Sequence, residues 1–116
     1  MNDTETVLEN LIQELKRGTL VLTVLLCTAE PVYGYALVGR LQERGIDVDQ
    51  NTLYPLLRRL EKQGLLASDW DMGDARPRRY YRISDDGRII RDRLLAEWKS
   101  MNAAIGGMEK TKENGR

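Results

Sequence analysis

Asn51, Tyr54, Arg58 and Lys62 recur at spacings of three and four residues, which places them on one side of a helix, opposite a stripe of Leu53, Leu56, Leu57 and Leu60. The chemistry such a face carries is recognition by hydrogen bonding. An Asn amide can pair with an adenine edge through two hydrogen bonds, an Arg guanidinium can do the same with guanine, and a Tyr offers a hydroxyl and a ring face to a phosphate or a thymine methyl. Downstream, the segment Arg76-Pro77-Arg78-Arg79-Tyr80-Tyr81-Arg82-Ile83 has the two-residue period of a strand, with Arg78, Tyr80 and Arg82 on one face and Arg79, Tyr81 and Ile83 on the other. From Arg76 to Arg93, seven arginines (76, 78, 79, 82, 88, 91, 93) stand against three aspartates (85, 86, 92), in a chain whose net charge is zero. The basic charge is therefore local, and it suits phosphates next to a major groove. Plainer accounts compete: any surface helix wets its outer face with Arg, Lys and Asn, and arginines on a strand edge discourage aggregation.

Other chemistries lack their residues. The 116-residue chain has no histidine, so the commonest general base and zinc ligand are missing, and a single cysteine cannot build a structural zinc site. There is no phosphate-binding Gly-rich loop with Lys-Ser or Lys-Thr, and Gly34 with Gly39 lacks the dinucleotide-binding spacing. Asp69, Asp71 and Asp74 have a spacing suggestive of a cation loop, but Gly73 and Tyr80 stand where an EF-hand needs its ligands. Neither catalysis, a cofactor nor a metal is expected. Cys27 lies within an apolar helix, where a buried inert thiol is favoured over a redox sensor. The apolar run 20–29 is too short for a membrane span and is stopped by Glu30-Pro31, and the N-terminus lacks a signal-peptide pattern, so a cytoplasmic protein without membrane contact is expected.

The elements that must hold these residues follow from periodicity and breakers. Val7, Leu8, Leu11, Ile12 and Leu15 make residues 4–17 an amphipathic helix closed by Gly18. Thr19 is placed to cap a helix over 20–29, whose leucines and valines surround its axis and mark it as central to the core. A helix over 34–44 turns Leu37, Val38 and Leu41 inward and ends at Gly45. After the turn Ile46-Asp47-Val48, Asp49 is placed to cap the helix that carries Asn51 and Arg58, and Gly64 sits at its C-terminal cap. Pro55 falls early in that helix, where a lost hydrogen bond is best tolerated. The two-residue period around Trp70 and from Arg78 predicts a hairpin connected by Gly73-Asp74-Ala75-Arg76-Pro77, with Trp70 packed on the helix beneath.

Four ordered motifs resemble those of the PadR-like transcriptional regulators, bacterial winged helix-turn-helix proteins. They are Gly18-Thr19-Leu20, Tyr33-Gly34-Tyr35-Ala36-Leu37, Thr52-Leu53-Tyr54-Pro55-Leu56-Leu57-Arg58-Arg59-Leu60-Glu61 with Gly64-Leu65-Leu66, and Arg78-Arg79-Tyr80-Tyr81-Arg82-Ile83-Ser84-Asp85-Asp86-Gly87. The likeness spans about residues 15 to 108. It implies a mainly α fold with a small β-hairpin, in which a winged helix-turn-helix domain is joined to N- and C-terminal dimerisation helices. It further implies a recognition helix at about 50–63, a wing at about 66–83, and a DNA-facing set of Tyr35, Gln50, Asn51, Thr52, Tyr54, Arg58, Arg59, Arg76, Arg78 and Arg79. Members of the family usually have glycine or another small residue where Asn51 stands, so base contacts there are particular to this chain.

Ser84, Asp85 and Asp86 suit the start of a C-terminal helix. Leu94, Trp98, Met101, Ile105 and Met108 then follow the spacing of a coiled-coil seam. The seam needs another helix, either residues 4–17 of the same subunit or, as the resemblance implies, the end helices of a second copy, with Leu8, Leu11 and Ile12 joining it. The expected organisation is an N-terminal interface helix (1–18), the DNA-binding domain (19–83), a dimerisation helix (84–108) and a frayed polar tail (109–116). The implied function is a dimeric repressor on an inverted-repeat operator in double-stranded DNA, with release by a small aromatic or phenolic effector at Trp98 weighed against Trp98 as a packed interface anchor. The alternative is a winged-helix module that binds protein instead of DNA, which the neutral net charge keeps open.

Overall fold

The computed structural model describes residues 3–73 and 76–114, with side chains as far as Glu109. In chain order the elements are α1 (Asp3–Arg17), α2 (Leu20–Cys27), β1 (Val32–Tyr33), α3 (Gly34–Glu43), α4 (Gln50–Lys62), β2 (Leu66–Asp71), β3 (Arg78–Ile83) and α5 (Asp85–Asn114). The strands form one antiparallel sheet in the order β1-β3-β2. β1 lies between the two predicted helices over 20–29 and 34–44, where the sequence predicts no strand. Two residues are too few to show an alternating pattern, and only the pairing of Val32 with Tyr81 and Tyr33 with Tyr80 defines them as a strand.

One core unites the helix-turn-helix with the wing. Val24 and Leu25 of α2, Leu37 and Leu41 of α3, Leu53, Leu56, Leu57 and Leu60 of α4, and Val32, Leu66, Tyr81 and Ile83 of the sheet are buried together. The α4 stripe contributes four of these, as its period requires. α2 is less enclosed than its composition suggests, since Leu26 remains 44% exposed.

Two helix ends set the geometry of the motif. At the end of α3, Gly45 adopts φ +86° and Ile46 N–H donates to the Leu41 carbonyl at 2.9 Å; at the end of α4, Gly64 adopts φ +82° and Leu65 N–H donates to the Leu60 carbonyl at 2.9 Å. Both are left-handed glycine caps that return an apolar residue to the core. Asp49 caps α4, its Oδ1 accepting from Thr52 N–H at 2.8 Å. Thr19 occupies the N-cap position of α2, its carbonyl accepting from Thr23 N–H at 3.0 Å, but its side chain makes no cap bond and its hydroxyl donates back to the Lys16 carbonyl at 2.8 Å.

The wing is fastened at its root. Ile83 N–H donates to the Thr28 carbonyl at 2.8 Å and Ser84 N–H to the Leu65 carbonyl at 3.0 Å. Ser84 Oγ accepts from Gly87 N–H at 2.9 Å, as expected of a cap, and also donates to the Gly64 carbonyl at 2.6 Å. α5 then crosses the root so closely that a Cβ on Gly87 would collide with the Leu65 carbonyl and lie 2.7 Å from the Ile83 side chain.

Other expectations are corrected. Trp70 is not packed on the helix beneath the hairpin but is 55% exposed, with the Arg79 guanidinium 5.8 Å from its ring centroid. In the hairpin connection, Asp74 and Ala75 lie outside the described residues. α5 does not stop at 108 but stays helical to Asn114, through a Glu- and Lys-rich stretch of good helix formers without proline.

Candidate nucleic-acid interface

The outer face of α4 stands clear of the core. Gln50, Asn51, Thr52, Arg58, Arg59 and Lys62 are all exposed there, while Tyr54 is half-buried on the flank that turns toward the wing. Tyr54 owes its position to a missing side chain. A Cβ on Gly34, the first residue of α3, would sit 3.3 Å from the Tyr54 ring and 3.6 Å from that of Tyr81, so α3 and α4 approach slightly more closely there than a Cβ would comfortably allow.

Between α4, the start of α3 and the wing lies an open cleft of about 980 Å³ lined by Gly34, Tyr35, Tyr54, Arg58, Arg76, Pro77, Arg78, Arg79 and Tyr81. Six of the expected DNA-facing residues, Tyr35, Tyr54, Arg58, Arg76, Arg78 and Arg79, meet there. Gln50, Asn51, Thr52 and Arg59 do not line it. They lie along α4 beside the cleft, with Thr52 and Arg59 one face farther round the helix.

The adjacent arginines of β3 point opposite ways, as strand alternation requires. Arg78 lies on the outer sheet face, where its Nη1 donates to the Tyr35 hydroxyl at 2.9 Å and its guanidinium sits 4.8 Å above the Tyr33 ring. Tyr33 stacks on Tyr35 with centroids 5.8 Å apart, meets Tyr80 edge-on at 6.1 Å, and donates its hydroxyl to Asp71 Oδ2 at 2.6 Å. That hydroxyl, followed by the Gly73 N–H, holds the Asp71 carboxyl below the usual carboxylate range.

Arg79 faces the core side. Its Nη2 donates to Glu61 Oε1 at 2.7 Å and its Nε to Ser68 Oγ at 3.1 Å, while Ser68 Oγ donates to Glu61 Oε2 at 2.5 Å. Burial pushes the Tyr81 phenol above its usual value, an effect the neighbouring Arg79 partly offsets.

Sequence patterns alone assigned Tyr33, Glu61, Ser68 and Asp71 no part in this interface. Tyr33 carried a signal in Tyr33-Gly34-Tyr35, but Glu61 and Arg79 are 18 positions apart on different elements, and no periodicity links them. The local arginine excess is also divided by the fold. Arg76, Arg78 and Arg79 reach the cleft, whereas Arg88, Arg91 and Arg93 ride on α5, where Arg91 Nε donates to Asp92 at 3.0 Å.

A second group of expected residues forms bare apolar faces. α1 buries none of its residues, leaving Leu8, Leu11 and Ile12 between 37% and 55% exposed. On α5, Trp98, Met101, Ile105 and Met108 are exposed as well. Leu94 differs from them: it is half-buried and packs against the subunit's own core. Cys27 is half-buried too, and burial raises its thiol above the ordinary value despite the opposing fields of Arg44 and Arg40. No helix among the described residues is long and apolar enough to cross a membrane.

Residues 21–93 match the model of the transcriptional regulator PadR-like family. The chain belongs to that family. A curated relative, the transcriptional regulator Rv3488 of Mycobacterium tuberculosis, is 36% identical over 107 residues, covering 90% of this chain and 99% of that protein. The crystal structure of a PadR family transcriptional regulator from Eggerthella lenta superposes with a TM-score of 0.89 at 46% identity, covering 93% of this chain and 96% of that one. A PadR-like transcriptional regulator from Bacillus cereus gives a TM-score of 0.75 at 26% identity, over 82% of this chain and 95% of that one. The fold is therefore the winged helix-turn-helix of PadR-like proteins, with β2 and β3 as the wing, and the protein is a transcriptional regulator of that family. The family and these relatives are regulators and not enzymes.

Proposed function

We propose that this PadR-like regulator is a dimeric repressor that reads an inverted-repeat operator with α4 in the major groove while the wing grips neighbouring phosphates. The observation that carries the reading is the convergence of Tyr35, Tyr54, Arg58, Arg76 and Arg78 on one open cleft, beside an α4 face that leaves Gln50, Asn51 and Arg58 exposed. Among the described residues Arg58 and Arg76 form no ion pair, so both are available to bases or phosphates.

Dimerisation rests on unmet burial. The Cα radius of gyration is 17.6 Å, against roughly 13 Å for a compact domain of about this length, because α1 and the 30-residue α5 project from the body with apolar residues uncovered. A second copy packed along these helices would bury them and set two α4 helices about one DNA turn apart. A dimer seated over two half-sites would occlude a promoter. Trp98, 41% exposed on the same face, is the place for an aromatic or phenolic effector to change the angle between the two domains.

The test is fluorescence anisotropy with the promoter next to the protein's own gene and with a random duplex of equal length. Saturable binding to the promoter at least about a thousandfold tighter than to random DNA is expected. Equal affinity for both would remove the sequence-specific reading and favour the protein-binding alternative.

A further inference from the structure

Within the DNA-binding reading, Arg78 and Arg79 would by sequence share one task, the neutralisation of phosphates. The structure separates them. Arg79 closes a ring of three hydrogen bonds with Glu61 and Ser68, at 2.7, 3.1 and 2.5 Å, which ties both wing strands to the last turn of α4. Its guanidinium also lies 5.5 Å from the Tyr81 ring and 5.8 Å from that of Trp70. The pair is partly withdrawn from water, the side chains being 35% and 28% exposed. A phosphate would find only the guanidinium donors that the ring leaves over, beside a carboxylate that already offsets the charge.

We infer that Arg79 is a positioning residue, locked by Glu61 and Ser68, that fixes the distance and angle between the base-reading helix and the phosphate-gripping wing. The mechanics follow from where the wing is held. Its root is the Gly64-Leu65 turn, where a left-handed glycine ends α4 and the hairpin begins. Beyond the root, the Tyr33–Asp71 and Arg78–Tyr35 bonds hold the hairpin to β1 and the start of α3, and neither reaches α4. The lock joins the hairpin to α4 itself, through Ser68 on β2 and Arg79 on β3, so that α4 and the wing meet DNA as one body. Simultaneous engagement needs that rigidity because each element alone makes few contacts.

The test combines DNA binding with a readout that needs no DNA. Arg79→Gln and Glu61→Gln are each expected to weaken operator binding about tenfold, with the double variant no weaker than either single one. Random DNA, which requires no fixed geometry, should lose less. Arg79→Gln should leave the slope of log affinity against log salt unchanged, whereas Arg76→Gln at the wing tip should flatten it by about 0.9. Arg79→Lys keeps the charge but cannot span Glu61 and Ser68, so it should behave like Arg79→Gln. A slope flattened by Arg79→Gln, or full rescue by Arg79→Lys, would return Arg79 to the phosphates and overturn the inference. Without DNA, the indole N–H resonance of Trp70, assigned by Trp70→Phe, should shift alike in Arg79→Gln and Glu61→Gln as the guanidinium leaves the ring. An unmoved resonance in Glu61→Gln would show that no lock exists. If the wild type binds no DNA, the DNA reading falls by itself, and the resonance alone decides the lock.

Discussion

Gly34 and Tyr54 are in contact through the absence of a side chain: a Cβ on Gly34 would stand 3.3 Å from the Tyr54 ring, with the Tyr81 ring at 3.6 Å on its other flank. The close approach of α3 to α4 therefore also seats a ring that lines the cleft between α4 and the wing. Gly34→Val should cost about 1–3 kcal/mol by overpacking and should weaken operator binding by displacing Tyr54. Gly34→Ala needs only a few tenths of an ångström of yielding, so its thermal midpoint should stay near wild type. Equal midpoints for all three proteins would show that the contact is slack.

The Tyr33–Asp71 bond predicts a weakness toward acid. Because the folded-state pKa of Asp71 is depressed, the bond adds stability that is fully present above the unfolded carboxyl value, about 3.9, and is lost as pH falls through the lower folded value. Tyr33→Phe should thus bring the thermal midpoint of the wild type toward that of the variant as pH drops below about 4. A gap that persists unchanged through that range would assign the effect to packing of the ring and not to the carboxylate.

Base-reading and phosphate-gripping residues should differ in kind. Asn51→Ala and Arg58→Ala are expected to cost about 1–3 kcal/mol on the operator and to change base preference. Arg76→Ala should weaken binding on every sequence and flatten its salt dependence. Parallel losses for Asn51→Ala on operator and random duplexes would take that residue out of base recognition.

Assembly should depend on the uncovered faces. Leu11→Lys with Ile105→Lys should give monomers that bind the operator poorly, since half of the contacts are lost. Leu94 is left unchanged in this experiment because it packs in part on the subunit's own core, where a lysine would disturb the fold as well as the assembly. Sedimentation showing a monomeric wild type with full operator affinity would sink the two-fold arrangement.

Trp98 should report any aromatic effector. In a Trp70→Phe background, planar aromatic compounds that bind beside it should quench its emission and loosen operator binding together, because a ligand can shift the dimer only by favouring one arrangement over the other. Compounds that alter neither signal would leave Trp98 as a packing anchor.

The sequence by itself determined the local elements and the faces they present. The Leu53-Leu56-Leu57-Leu60 stripe, the Asp49 cap, the glycine ends at 45 and 64 and the alternation from Arg78 to Ile83 are written in short-range patterns, and the structure realises each of them. Periodicity specifies which way a side chain faces relative to its own element, because that is set by backbone geometry within a turn or two. It does not specify what the side chain meets. Only the tertiary structure decided that Val32 and Tyr33 form a strand, that Arg79 is held by Glu61 while Arg78 lies over Tyr33, and that Trp70 is exposed while Leu94 is packed. Those outcomes depend on pairs remote in the chain, whose meeting is dictated by how a shared core closes rather than by any local preference.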